Sequence, residues 1–205
     1  MSPKPDVSEQ RRSQILDAAT RVFSRQGFEK ARMDDIVEES SLSKGALYWY
    51  FKSKDDIIFA IMDRIFDLEF GEAFRKTDPN SSATRQLMQM TDVIVKDLER
   101  MMPIMPLFYD FFALGLRNKN ARKYMGAYLR RFVDQIIPIV ERGIANEEFR
   151  QVDTIEATLA LGAIMEGTIL LWTYDSERVD MSKQIVAGMK LLLEGLRIEK
   201  DSQEL

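Results

Sequence analysis

The 205-residue sequence predicts an all-α protein, and three observations carry that prediction. Apolar residues recur every three to four positions in nine successive segments, the spacing that gathers them on one face of a helix. No segment sustains the apolar–polar alternation of a half-buried strand. The segments are separated by short groups rich in Gly, Pro, Asn, Asp and Ser, which break helices.

In chain order, residues 1–7 contain Pro3 and Pro5 and no periodic pattern, so they read as an arm. Residues 8–26 form the first helix, with Ile15, Ala18, Ala19, Val22 and Phe23 on its inner face and Gly27 as its stop. Helices over about 33–40 and 44–51 follow. Ser53 then caps a long helix over about 54–76, whose inner face carries Ile57, Ile58, Ile61, Met62, Ile65 and Leu68. After the break Thr77-Asp-Pro-Asn-Ser-Ser82, helices are expected over about 81–101, 104–117, 120–146, 153–175 and 180–199. Pro138 falls inside the seventh of the nine and should kink it. The domain boundary is placed near residue 54, with 1–54 as a small head and 55–205 as a larger helical body.

The richest segment is Met33 to Phe51 with Lys52-Ser-Lys-Asp-Asp56 behind it. It reads as a short helix, a tight turn and a second short helix, the arrangement in which one helix crosses the DNA backbone and the next enters the major groove. Ser43 is the expected N-cap of the second helix, and that end carries partial positive charge suited to a phosphate. Gly45 and Ala46 keep the leading surface small. Lys44, Tyr48 and Tyr50 supply donors, and Lys52 and Lys54 lie just beyond.

These residues resemble the N-terminal domain of the TetR family of bacterial transcriptional regulators. The resemblance rests on Ile15, Ala18, Phe23, Gly27-Phe28, Asp35-Ile36, Leu42-Ser43-Lys44-Gly45, Leu47-Tyr48, Phe51 and Lys54. It covers about Arg11 to Asp56, roughly a quarter of the chain. It implies a helix-turn-helix head, with Lys44, Gly45, Ala46 and Trp49 facing the groove. Ser43, Tyr48, Tyr50, Lys54 and Arg32 would then lie on phosphates. Three positions depart from the pattern. Ser41 stands where glycine would most easily turn left-handed, Arg32 stands where a capping Thr or Ser is usual, and Tyr50 replaces a histidine.

Composition narrows the alternatives. With 45% apolar residues the chain can build a real core. There is no cysteine and no histidine, so Ser-His-Asp and Cys-His catalysis, disulfides and thiolate metal sites are excluded. No enzyme activity and no cofactor are expected. The net charge of −4 is unevenly spread: residues 1–54 hold ten Lys/Arg against eight Asp/Glu, so the acidic excess lies in the body. No signal peptide is evident, and the stretch Leu159 to Trp172, interrupted by Glu166, reads as too short to span a bilayer. A soluble, cytoplasmic protein is expected.

The helix over 153–175 is apolar on nearly every face, so it requires cover all round. With 180–199 it is the expected seam of a homodimer, two helices from each copy. The resemblance also implies a small-molecule site in the body. Its expected wall is Met88, Met102, Phe108, Phe111, Phe112, Met125, Tyr128, Phe132, Met165, Glu166 and Trp172, with Tyr109 and Asp110 as weaker polar candidates. Methionine and aromatic rings at helical spacing also make ordinary core. The expectation is a dimeric repressor that a lipophilic ligand releases from a palindromic operator. The alternatives are a regulator whose body only dimerises or binds a protein, a carboxylate enzyme, and a helical adaptor.

Overall fold

The structure, a computed structural model, describes residues 7–198, excepting the side chains at 66–70, 72, 74, 99, 100 and 103. The expected N-terminal arm lies outside these residues apart from Val7. Among the described residues there are nine α-helices: α1 Val7–Gln26, α2 Met33–Ser40, α3 Lys44–Tyr50, α4 Lys54–Arg75, α5 Ala83–Met101, α6 Met105–Arg117, α7 Lys119–Ala145, α8 Thr154–Tyr174 and α9 Met181–Leu196. A 3₁₀ turn, Met102–Ile104, bridges α5 and α6 around Pro103. Among the described residues there is no strand, and one isolated bridge joins Phe149 to Arg197. The helices fall where the periodicity puts them, within three residues at every end. α7 runs unbroken through Pro138.

The described residues pack as two compact units, one within 1–68 and 100–127 and the other within 69–99 and 128–205. The first therefore takes in α6, which the sequence assigns to the body. Its centre is the inner face of α1, where Ile15, Ala18, Ala19 and Val22 are fully buried together with Ile36, Leu47, Ile57, Ile58, Ile61 and Met62. Phe59 stacks on Tyr124, and both meet the edge of Phe111. Tyr124 donates its hydroxyl to Asp63. The side chain of Leu68 lies outside the description.

In the second unit the start of α5 depends on a remote carboxylate. Glu148 accepts from the N–H groups of Ala83 at 2.9 Å and Thr84 at 3.2 Å, groups that a helix N-terminus leaves unpaired. Arg142 of α7 donates to Gln86 at 2.5 Å. Gly143 is required by close approach, because a Cβ there would sit 2.2 Å from the Phe149 ring. α8 and α9 pack side by side, with Ala157, Thr158, Leu161 and Thr168 buried from one and Met181, Ile185, Met189 and Leu193 from the other.

The other side of this pair is uncovered. Ile155, Leu159, Leu170, Leu171 and Tyr174 of α8 and Leu191 of α9 are exposed, Tyr174 by 75% and Leu191 by 69%. At 21 residues, α8 is long and apolar enough to cross a membrane by length and composition alone. The sequence-based exclusion on length is corrected accordingly, because the helix begins five residues before Leu159 and ends two after Trp172.

Candidate nucleic-acid interface

α2 and α3 are built as the sequence suggests, and two of the three departures from the family pattern, Ser41 and Arg32, have a visible solution. Ser41 occupies the left-handed region at φ 55° and ψ 27°, the conformation a glycine would take without steric cost. The turn around it is held by Ser40, which donates to the Val37 carbonyl at 3.0 Å and whose own carbonyl accepts from Gln14 at 2.7 Å. The Arg32 side chain does not cap α2. Instead Asp35 reaches back and accepts from the Arg32 N–H at 2.8 Å, leaving the guanidinium on an exposed residue. Ser43 caps α3 as expected, accepting from the Ala46 N–H at 3.2 Å.

Leu47 and Phe51 are buried and anchor α3, which sets its outward face. Ser43, Lys44, Gly45 and Trp49 are exposed, and Ala46, Tyr48 and Tyr50 are half-buried. Trp49, 68% exposed, meets the edge of the Tyr50 ring at 4.5 Å between centroids. A Cβ added at Gly45 would meet nothing within 4 Å. The protein's own packing therefore does not require glycine there, although glycine inside a helix costs about 1 kcal/mol relative to alanine.

The cations are less free than their number implies. Lys44 pairs with Asp34 of α2 at 2.7 Å, and that hydrogen bond raises the Lys44 pKa. Both partners are exposed, so the pair is weak and readily exchanged for a phosphate or a base edge. Arg21 and Arg25 are engaged by Glu39, at 2.8 and 3.2 Å, which ties α1 to α2 and holds the Glu39 carboxyl below its usual range. Lys52 donates to the Tyr48 carbonyl at 2.7 Å.

Lys54, expected on a phosphate, is spent inside the protein. Its ammonium donates to the carbonyls of Phe28 at 2.5 Å, Glu29 at 3.0 Å and Ala31 at 2.9 Å, and lies 4.6 Å from the centre of the Phe28 ring. An ammonium has three N–H bonds, and all three are used. Partial burial lowers its pKa. Lys54 thus fastens the α1–α2 connection to α4.

The expected effector wall is divided between the two units. Phe108 and Phe111 are core residues of the first, and Met125 packs over Gly115 there. Met102 and Phe112, both half-buried, belong to the first unit as well. In the second unit, Phe132 and Met165 line a cavity of about 20 Å3. Leu87, Met90, Thr91 and Ile94 of α5, Ile136 of α7, Leu161 of α8 and Met189 of α9 complete it. Met88, Tyr128, Glu166 and Trp172 do not line this cavity. Glu166 is on the outward side of α8 among apolar neighbours, whose desolvation raises its carboxyl pKa. Asp110, considered as a ligand contact, instead accepts from the Phe28 N–H at 2.8 Å. Among the described residues no cluster of carboxylates is arranged to hold a metal.

A capped recognition helix with a small leading face, one exposed indole and exchangeable cations defines a helix-turn-helix DNA-binding regulator. The chain belongs to the TetR family of bacterial transcriptional regulators. The family model for bacterial regulatory proteins of the tetR family matches residues 15–61, and that for the C-terminal part of BetI-type transcriptional repressors matches 83–196. The chain is 28% identical over 190 residues to the HTH-type transcriptional regulator YfiR of Bacillus subtilis, covering 89% of this chain and 91% of that one. It is 25% identical over 193 residues to the transcriptional repressor KstR of Mycobacterium tuberculosis, covering 92% and 83%. The fold is shared with Bacillus subtilis FadR, solved in complex with stearoyl-CoA, at a TM-score of 0.79 and 19% identity over 90% of this chain and 99% of that one. These relatives are regulators and not enzymes.

Proposed function

We propose that the protein is a homodimeric repressor that reads a palindromic operator and is released from it by a small, uncharged, lipophilic ligand. The observation that carries the DNA-reading part is the outward face of α3. Lys44, Gly45, Ala46 and Trp49 enter the major groove, where Gly and Ala allow close approach and apolar surface meets thymine methyl groups. Arg32, Ser43, Tyr48 and Tyr50 contact phosphates and fix register. Residues 1–54 act as the reading head, and 55–205 bind ligand and dimerise. The uncovered faces of α8 and α9 support the second copy, since a monomer rarely leaves so much contiguous apolar surface in water. The protein works in the cytoplasm, where its operator is.

The cavity between α5, α7, α8 and α9 supports the effector part. Thr91 is its one polar lining residue, and no charge faces it, which favours a neutral ligand over a cation or an anion. Thr158, fully buried one turn before Leu161 on the same helix, has a hydroxyl with no protein partner, but it does not line the cavity. At about 20 Å3 the cavity holds little more than a water molecule, so a ligand enters only by pushing the methionines aside. The change then reaches the head through α4, which contributes residues to both units, and alters the spacing of the two heads. The cavity's small size also supports a second reading, a regulator without effector whose body only dimerises or binds a protein. Operator release by a panel of neutral lipophilic compounds separates the two. Release that Met165→Trp abolishes, with operator affinity intact, supports the first, and no release by any compound supports the second.

A further inference from the structure

α2 and α3 are bracketed by two short connections, residues 27–32 before them and 51–53 after. Both flanks are tied to α6. Gly27 ends α1 with φ +79° and its N–H on the Phe23 carbonyl at 2.8 Å. A helix that ends on a left-handed glycine commonly returns the next N–H to a carbonyl of its own last turn. Here the Phe28 N–H goes instead to the Asp110 carboxylate on α6, 82 residues away. Lys54 holds the same connection from α4 through the carbonyls of Phe28, Glu29 and Ala31.

The other flank meets the far end of α6. Asn118, which follows its last turn, donates its Nδ2 to Asp55 at 3.1 Å, in the first turn of α4. The Asn118 Oδ1 is turned the other way and caps α7, accepting from the N–H groups of Asn120 at 2.8 Å and Ala121 at 3.1 Å. α6 has 13 residues and so spans about 20 Å, with one tie near its middle and one at its end.

We propose that Asp110 and Asn118 are positioning residues for operator recognition: through them α6 braces both flanks of the helix-turn-helix and sets the angle at which α3 is presented. This rests on the DNA-reading assignment above. Neither residue is on the outward face of α3. They act through the Phe28 backbone and the first turn of α4, so their loss affects specific docking of paired heads more than general attraction to phosphate.

Three variants separate this role from simple loss of stability. Asp110→Ala removes the acceptor for the Phe28 N–H, whereas Asp110→Asn keeps an oxygen there. Asn118→Asp keeps an oxygen to cap α7 but sets a carboxylate against Asp55. Each is made in the full chain. Binding is measured to the operator that the unmodified protein selects and to a scrambled duplex of equal length, with amide exchange followed at Phe28. Asp110→Ala and Asn118→Asp should each weaken operator binding about tenfold. Scrambled-duplex binding should stay within about twofold, because phosphate attraction carries it. Asp110→Asn should recover most of the operator affinity and the protection of the Phe28 amide. Operator binding unchanged in Asp110→Ala and Asn118→Asp overturns the proposal, as does an equal fall on both duplexes or an Asp110→Asn no better than Asp110→Ala. An unmodified protein that cannot distinguish the two duplexes instead removes the DNA-reading assignment, and the proposal with it.

Discussion

Helices α3 and α8 both present large apolar side chains to solvent, but their surroundings separate two kinds of partner. On α3 the apolar surface is one indole, Trp49, with Lys44, Ser43 and two phenols around it. On α8 it is a row of Ile155, Leu159, Leu170 and Leu171 ending in Tyr174, and between residues 157 and 174 the only charged residue is Glu166. An isolated ring among donors suits a polar, charged surface with small apolar spots, which is what a major groove offers. A continuous apolar row suits a surface that excludes water, which a second copy of the same helix provides. Exposure alone does not distinguish DNA from protein as the partner, whereas the charges beside the exposed residue do.

The largest effect should come from breaking the α8 side of this comparison. Leu159→Glu with Leu170→Glu places two carboxylates on one face of α8 without touching the core of a single chain. Sedimentation should show a monomer, and operator affinity should fall at least about a hundredfold, since burying unpaired charge is costly and a lone head reads only half a site. An intact dimer would mean that the row faces something else.

A smaller effect sharpens the α3 side. Lys54→Met removes three bonds to carbonyls and should cost about 2–3 kcal/mol, lowering the melting temperature by roughly 4–12 °C. The salt dependence of operator binding should keep its slope. A slope reduced by about one would return Lys54 to the phosphate backbone.

The smallest effect concerns Glu166. Although Glu166 faces outward, its apolar neighbours on α8 desolvate the carboxylate and raise its folded pKa above its unfolded value, so the folded protein retains the proton over the interval between the two. Stability therefore falls as pH rises through that interval and stays lower above it. Because the outward-facing carboxylate is partly screened by solvent, Glu166→Gln should raise the melting temperature at pH 8 by no more than about 1 °C and remove this part of the pH dependence. A lower melting temperature would show that the carboxylate is paired across the seam.

The fold was almost wholly legible in the sequence, because each helix is marked by local signals: the apolar stripe of α1, the Ser43 cap, the Asp-rich start of α4. Ser41 shows the same, since a position that needs left-handed backbone can be recognised even when glycine is missing from it. The site was legible only where it is local. Nothing near Lys54 indicates that its partners are the carbonyls of residues 28, 29 and 31. Nothing near Asp110 points to an amide 82 residues earlier, nor near Glu148 to the start of α5. Polar side chains that hold distant backbone look, in sequence, the same as side chains offered to a ligand. Methionine and phenylalanine pose the matching ambiguity for the effector wall. Helical spacing says that they face inward, but not that Phe111 fills a core while Phe132 and Met165 edge a cavity.

The most direct test of the central claim is selection of duplexes from a random pool by the protein and by a Lys44→Ala, Tyr48→Ala variant. The account predicts an enriched palindrome with half-sites about one helical turn or a multiple apart, lost in the variant whose fold and dimer remain intact. Enrichment that persists in the variant, or no enrichment by the unmodified protein at modest salt, would contradict the assignment of α3 as the reading helix.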